Sequence, residues 1–274
     1  MSIPALKTAC AISWGELVYD TEVPLQTKDN LKIAFEAVDK LLTKYNIIIN
    51  HPITVVVAAN NAESYIQALM SHGKMSRTQA EDKIKSVNLG LSNSREPLII
   101  IRYYPYRQQT GQGTSRQIHP PEEGFHTLPH EVFHQVQNQY GRRRMNWMVE
   151  GPAELFKFIA IEAAGIRGVA HSVQRYEQEI RKNGKIPDTR QLASYDYKDW
   201  ISLGYHKYPV YQMAAVMTYR LLGDNGFEKL LSYYQLLHDG VDRDQAFNNV
   251  FGIQLTDFLA DMNDYFNKLC SSYP

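Results

Sequence analysis

Cysteine is scarce: Cys10 and Cys270 are the two thiols in 274 residues. Two cysteines make no disulfide framework, so both are expected to be free, and they stand too far apart for a metal knuckle. Chain termini often lie close together, so a bridge becomes an expectation if the protein is exported. An excess of one charge is also missing. Lys plus Arg and Asp plus Glu each number 29. That balance leaves no basic field for nucleic acid, and no nucleic-acid partner is expected. No apolar run approaches the roughly 20 residues that cross a bilayer, so no membrane span is expected. The first stretch, "MSIPALKTACAISW", is broken by Pro4 and Lys7 and makes a poor signal peptide. As given, the sequence reads as cytoplasmic; a secreted chain whose leader was replaced by Met1 would read the same. Internal repeats and low-complexity segments are absent.

What is present is a 44% hydrophobic composition with mixed charges, the profile of a soluble globular protein in one large domain or two tightly joined subdomains. Residues 27–45 put Leu31, Phe35, Val38 and Leu42 on one face of a helix. The β-branched runs at 53–59 and 97–104 read as strands, with a polar helical stretch at 62–85 between them. Residues 105–124 are rich in Gly, Pro and Gln without period, and a loop of that length suits a flap over a site. Helical patterns then dominate, at about 128–140, 151–164, 169–182, 209–222, 226–238, 242–250 and 255–269. The expected class is α+β: an N-terminal α/β subdomain with a small mixed sheet (1–124), then a mostly helical part (125–274).

At the junction lies "LPHEVFH", residues 128–134. On a helix, residues four apart share a face, so His130 and His134 can aim their nitrogens at one point. That suits zinc, which takes His nitrogen at about 2.0–2.1 Å. Glu131 points about 100° away around the helix. It is placed as a general base toward a water on the metal's open side. Pro129 is tolerated in a first turn, with Thr127 as a candidate cap. A catalytic zinc usually takes three protein ligands plus water, so a third is needed. "WMVEGPAELF", residues 147–156, offers one: Glu150 at the opening of a second helix, where Gly151 and Pro152 are acceptable. Glu154, one turn on, reads as a partner to a metal-bound histidine, or as the ligand in place of Glu150.

HExxH followed by W-x-x-E-G-x-A-E and an apolar helix resembles the gluzincin zinc metallopeptidases, and among them bacterial peptidases of the collagenase-like and "MA-like" kind. The likeness extends over about residues 125–269, through "YPVYQMAAVMTYRLLGDNG" and "GVDRDQAFNNVFGIQLTDFLADMNDYF". It implies a zincin-like fold and one Zn2+ per chain on His130, His134 and Glu150, with Glu131 as base. It also implies a tyrosine at the start of the helix after the site to steady the developing oxyanion. Tyr211 matches that position, with Tyr205, Tyr208 and His206 as neighbouring rivals. The gap from His134 to Glu150 is shorter than in thermolysin-type or aminopeptidase-type gluzincins. No G-x-M-E-N segment precedes the motif, which favours endopeptidase action on a peptide or protein substrate. Gln137 and Tyr140 stand where a metzincin pattern would continue, so that family is excluded.

Two other readings stay open: a catalytically silent peptide-binding module on the same fold, and a protease with a single protein target. Two His and a Glu also bind manganese, cobalt or nickel. Among smaller features, His126 reads as a neighbour of the site, because Pro129 starts the helix after it. "GRRR" (141–144) reads as a solvated run, and "TGQGT" (110–114) lacks the context of a phosphate loop. The run at 97–104 reads either as an edge strand that accepts an extended substrate or as a buried core strand.

Overall fold

The β-branched runs form adjacent parallel strands, β3 (Ile53–Ala58) and β5 (Leu98–Arg102), in register from Thr54 opposite Leu98 to Ala58 opposite Arg102. The structure is a computed structural model; it describes residues 7–19, 23, 25–58, 62–85, 90–93, 95–102, 125, 127–141, 144–205, 207–223 and 226–271. The proposed flap at 105–124, "TGQGT", His126, His206, Arg142 and Arg143 lie outside these residues.

A hairpin absent from the sequence reading, β1 (Lys7–Ile12) with β2 (Gly15–Tyr19), extends the sheet on one side. On the other side β4 (Gly90–Ser92) pairs antiparallel with β5. The order is β1-β2-β3-β5-β4, a mixed five-stranded sheet. β5 is therefore an interior strand, and Leu98, Ile99, Ile100 and Ile101 are all buried. Of the two readings of this run, the core strand is the one observed, and β4 is the edge strand beside it. Helix α1 (Leu25–Lys44) buries the anticipated stripe Leu31, Phe35, Val38 and Leu42. The polar stretch at 62–85 is two helices, α2 (Ala62–Ser71) and α3 (Arg77–Lys85). Tyr65, Leu69 and Ala80 from these helices pack with Val56, Leu98 and Ile100. Period-2 and period-3.6 burial meet in that cluster.

The second half is helical: α4 (Leu128–Asn138), α5 (Trp147–Ala163), α6 (Val169–Asn183), α7 (Thr189–Leu192), α8 (Tyr197–Tyr205), α9 (Val210–Leu222), α10 (Gly226–His238), α11 (Arg243–Phe251) and α12 (Leu255–Ser271). The short α7 and α8 are additions to the sequence reading. Local chemistry sets several ends. The Asp242 carboxylate caps α11 by accepting from the backbone N–H of Asp244 and Gln245 at 2.9 and 3.2 Å. Gly252, at φ 76°, ends that helix in a conformation other residues adopt at a cost. Cys270 on α12 is a free thiol with its sulfur 3.8 Å from the Ile180 carbonyl.

By its contacts the chain divides into two units, residues 1–136 with 163–166, and residues 137–162 with 167–274. The division falls inside α4, after Val136, and at the end of α5, after Glu162. Within the second unit α5 is apolar around most of its circumference, and 13 of its 17 residues are buried; that makes it the central helix of the unit rather than a surface one. Trp147 stacks on Phe258 (5.6 Å between centroids), and Phe156 meets Phe227 edge-on at 5.7 Å.

α9 approaches α5 closely at Gly151. A Cβ there would sit 2.3 Å from the Ala214 carbonyl oxygen and 2.4 Å from Thr218 Oγ1. Gly151→Ala must push the two helices apart. The expected result is a loss of about 1–3 kcal/mol, read as a lower denaturation midpoint. An unchanged midpoint would show that the contact has slack.

Candidate metal centre

α4 starts where Thr127 offers its carbonyl to the N–H of Glu131 at 3.0 Å, with Pro129 in the first turn where no N–H is needed. The two histidines then face each other across one helical turn. Their Nε2 atoms are 2.9 Å apart, and the rings are nearly perpendicular, at 89°. Two lone pairs at that separation repel, so the geometry requires a proton or a cation between them. Glu150, in the first turn of α5, completes a group: one ligand atom from each of His130, His134 and Glu150 lies within 4.8 Å of the others. Ligand atoms around a tetrahedral zinc lie about 3.3 Å from one another. The two histidine nitrogens, 2.9 Å apart, are near that value and no pair in the group exceeds 4.8 Å; two imidazoles with one carboxylate form a donor set suited to zinc. His130 and Glu150 are buried and His134 half-buried. The residues fit a metal ion.

Glu131 is buried on another side of α4, against the edge strand β4. A Cβ on Gly90 would lie 2.6 Å from Glu131 Oε1 and 2.5 Å from Thr127 Cγ2. One turn along the same face, the Gln135 side-chain amide donates to Ser92 Oγ and the Asn93 carbonyl, both at 2.8 Å. The two-residue step along β4 from Gly90 to Ser92, roughly 6.6 Å, is close to the roughly 6.0 Å rise from Glu131 to Gln135 on α4. Strand and helix therefore stay in register past the Glu131 carboxylate. The sequence reading missed Gly90, Ser92 and Gln135. The only local signal was Gln135 four residues after Glu131.

Glu154 is buried too. Its Oε2 accepts from Lys157 Nζ and from the Tyr176 hydroxyl, and Lys157 is itself buried. The charge pair lets both groups stay in the interior. Tyr211, at the start of α9, keeps 38% of its surface exposed. Burial of its hydroxyl end, then the charge of Glu150, push its pKa far above the usual phenol range. The hydroxyl therefore stays a proton donor near Glu150. Its ring meets Trp200 edge-on at 5.4 Å. Tyr208 is half-buried in the turn before α9. His206 and the Tyr205 side chain lie outside the described residues.

No family model matches the chain, and no curated protein matches it. Among the described residues no helix is long and apolar enough to cross a membrane.

Arg144 corrects one expectation. It is not a solvated charge: it is buried, its guanidinium lies 5.0 Å from the centre of the Tyr234 ring, and it donates to the Gln137 carbonyl. That carbonyl is among the last four of α4, which lack partners within the helix. Desolvation lowers the Arg144 pKa, yet a guanidinium remains charged in proteins.

Proposed function

We propose that the protein is a zinc-dependent peptidase of gluzincin type, an endopeptidase acting on peptide or protein substrates. The observation that carries this reading is the convergence of His130, His134 and Glu150 beside a buried Glu131. Zinc, when bound, would supply Lewis-acid activation of water and of the scissile carbonyl. Glu131 takes a proton at its carboxylate and later returns it to the leaving amine. The Tyr211 hydroxyl, kept protonated, donates to the developing oxyanion. Glu154, fixed by Lys157 and Tyr176, keeps α5 charged but balanced one turn beyond Glu150. β4 lies outermost in the sheet and beside Glu131, where an extended peptide would present its backbone to the base.

The test is zinc content with peptide cleavage. Purified protein should hold about one zinc per chain and cut members of a mixed peptide library. A chelator should stop cleavage, and added zinc should restore it. Zinc with no cleavage of any peptide or of any protein in a lysate would sink the peptidase reading in favour of a binding module. Protein that takes no zinc would remove the metal as well.

Gly90→Ala is a narrower probe. Its methyl group must displace the Glu131 carboxylate. The expected result is a roughly 100-fold fall in kcat with zinc retained, the usual scale for a catalytic group moved by about 1 Å. Wild-type kcat would show that Glu131 acts from elsewhere.

A further inference from the structure

Pro152 sits inside α5 and has no N–H to give the Met148 carbonyl four residues back. That freed carbonyl accepts from the Tyr234 hydroxyl at 2.7 Å. Gln137, in the last turn of α4, uses its side-chain amide in the same place. It donates to the Val149 carbonyl at 2.8 Å and to the Tyr234 oxygen at 3.0 Å. The amide's two hydrogens and the phenol's one each have an acceptor. Arg144 closes the ring, donating to the Gln137 carbonyl while covering the Tyr234 face. Gln137 is 1% exposed and Tyr234 0%.

The position of this network relative to the metal ligands is what matters. Val149 immediately precedes Glu150, and Gln137 follows His134 by three residues on the same helix. The bonds from Gln137 and Tyr234 therefore tie the last turn of α4 to the backbone that carries Glu150. A carboxylate side chain can reach a metal only if its backbone is held at the right height beside the histidine helix. The proline makes the fixing possible, because it leaves a carbonyl that only a group from outside the helix can satisfy.

We propose that Gln137 and Tyr234, braced by Arg144, are positioning residues that set Glu150 against His130 and His134, so that the third metal ligand depends on a hydroxyl from α10. The inference rests on the metal reading above. It predicts a loss of metal affinity that exceeds any loss of folding.

The experiment measures the zinc dissociation constant by competition with a chromophoric chelator, together with the thermal midpoint of the metal-free protein. The samples are wild type, Tyr234→Phe, Gln137→Met and, as a control on another helix, Tyr265→Phe. Tyr265 donates its hydroxyl to Glu177, away from this network. Tyr234→Phe keeps the ring that Arg144 covers and deletes only the donor. It should weaken zinc binding about 10-fold or more, the range seen when partners behind a metal ligand are lost. Gln137→Met should do the same, and Tyr265→Phe should bind like wild type. If Tyr234→Phe does not fold, Gln137→Met carries the test, because it leaves the bond from Tyr234 to Met148 in place. Variants that melt earlier yet bind zinc as tightly as wild type would reduce the network to a structural role and overturn the proposal. Equal weakening in the Tyr265→Phe control would overturn it too. Wild type that takes no zinc would remove the metal reading and this inference with it, an outcome distinct from tight binding in all four proteins.

Discussion

Glu131→Gln is expected to keep zinc and lose peptide hydrolysis. The amide has nearly the volume of the carboxylate, so it fits the same place against Gly90 and Thr127. It cannot take a proton from water near neutral pH. A positioned general base contributes about 100- to 10,000-fold, and kcat should fall by that amount. Glu131 is not one of the three residues whose ligand atoms converge, so zinc content should not change. Metal analysis beside initial rates on one cleaved peptide reads both quantities. A variant that cuts at the wild-type rate would take the base away from Glu131. One that loses its zinc would make Glu131 part of the metal site.

The second large effect concerns the third ligand. Glu150→Gln should release zinc by a factor larger than the roughly 10- to 100-fold typical of losing a partner behind the metal; Glu154→Gln should retain it. The contrast follows from what each carboxylate faces. Glu150 shares one small volume with the two imidazoles, whereas Glu154 Oε2 accepts from Lys157 and Tyr176. Glu154→Gln should lower stability instead, because it leaves Lys157 charged and buried without its counterion. His134→Ala serves as the reference for a lost ligand. Zinc kept by Glu150→Gln and lost by Glu154→Gln would exchange the two assignments. Dialysis against zinc followed by elemental analysis reads all three variants.

Features whose cause is local are legible without the fold. His130 and His134 share a helix face because of the helical repeat, and no partner is needed to know it. The stripe Leu31, Phe35, Val38 and Leu42 and the β-branched runs at β3 and β5 carry their own period. Asp242 and Gly252 mark ends through bonds made within a few residues.

The features left to the tertiary structure depend on partners far along the chain. β4 has three residues, too few for any period, and exists because β5 pairs with it. Of the hairpin, β1 lies in the stretch that reads as a poor signal peptide, and β2 becomes recognisable through its pairing with β1 and β3. Pro152 reads as a helix start; it lies inside α5 because Tyr234, 86 residues from Met148, satisfies the carbonyl it frees. Arg144 reads as solvated until the Tyr234 ring and the end of α4 claim it. Gln137 looks like one more polar residue on a helix. It is buried because its amide finds acceptors 12 and 97 positions away. A buried polar group is stable only with its partners in place, and which partners those are is decided by the fold.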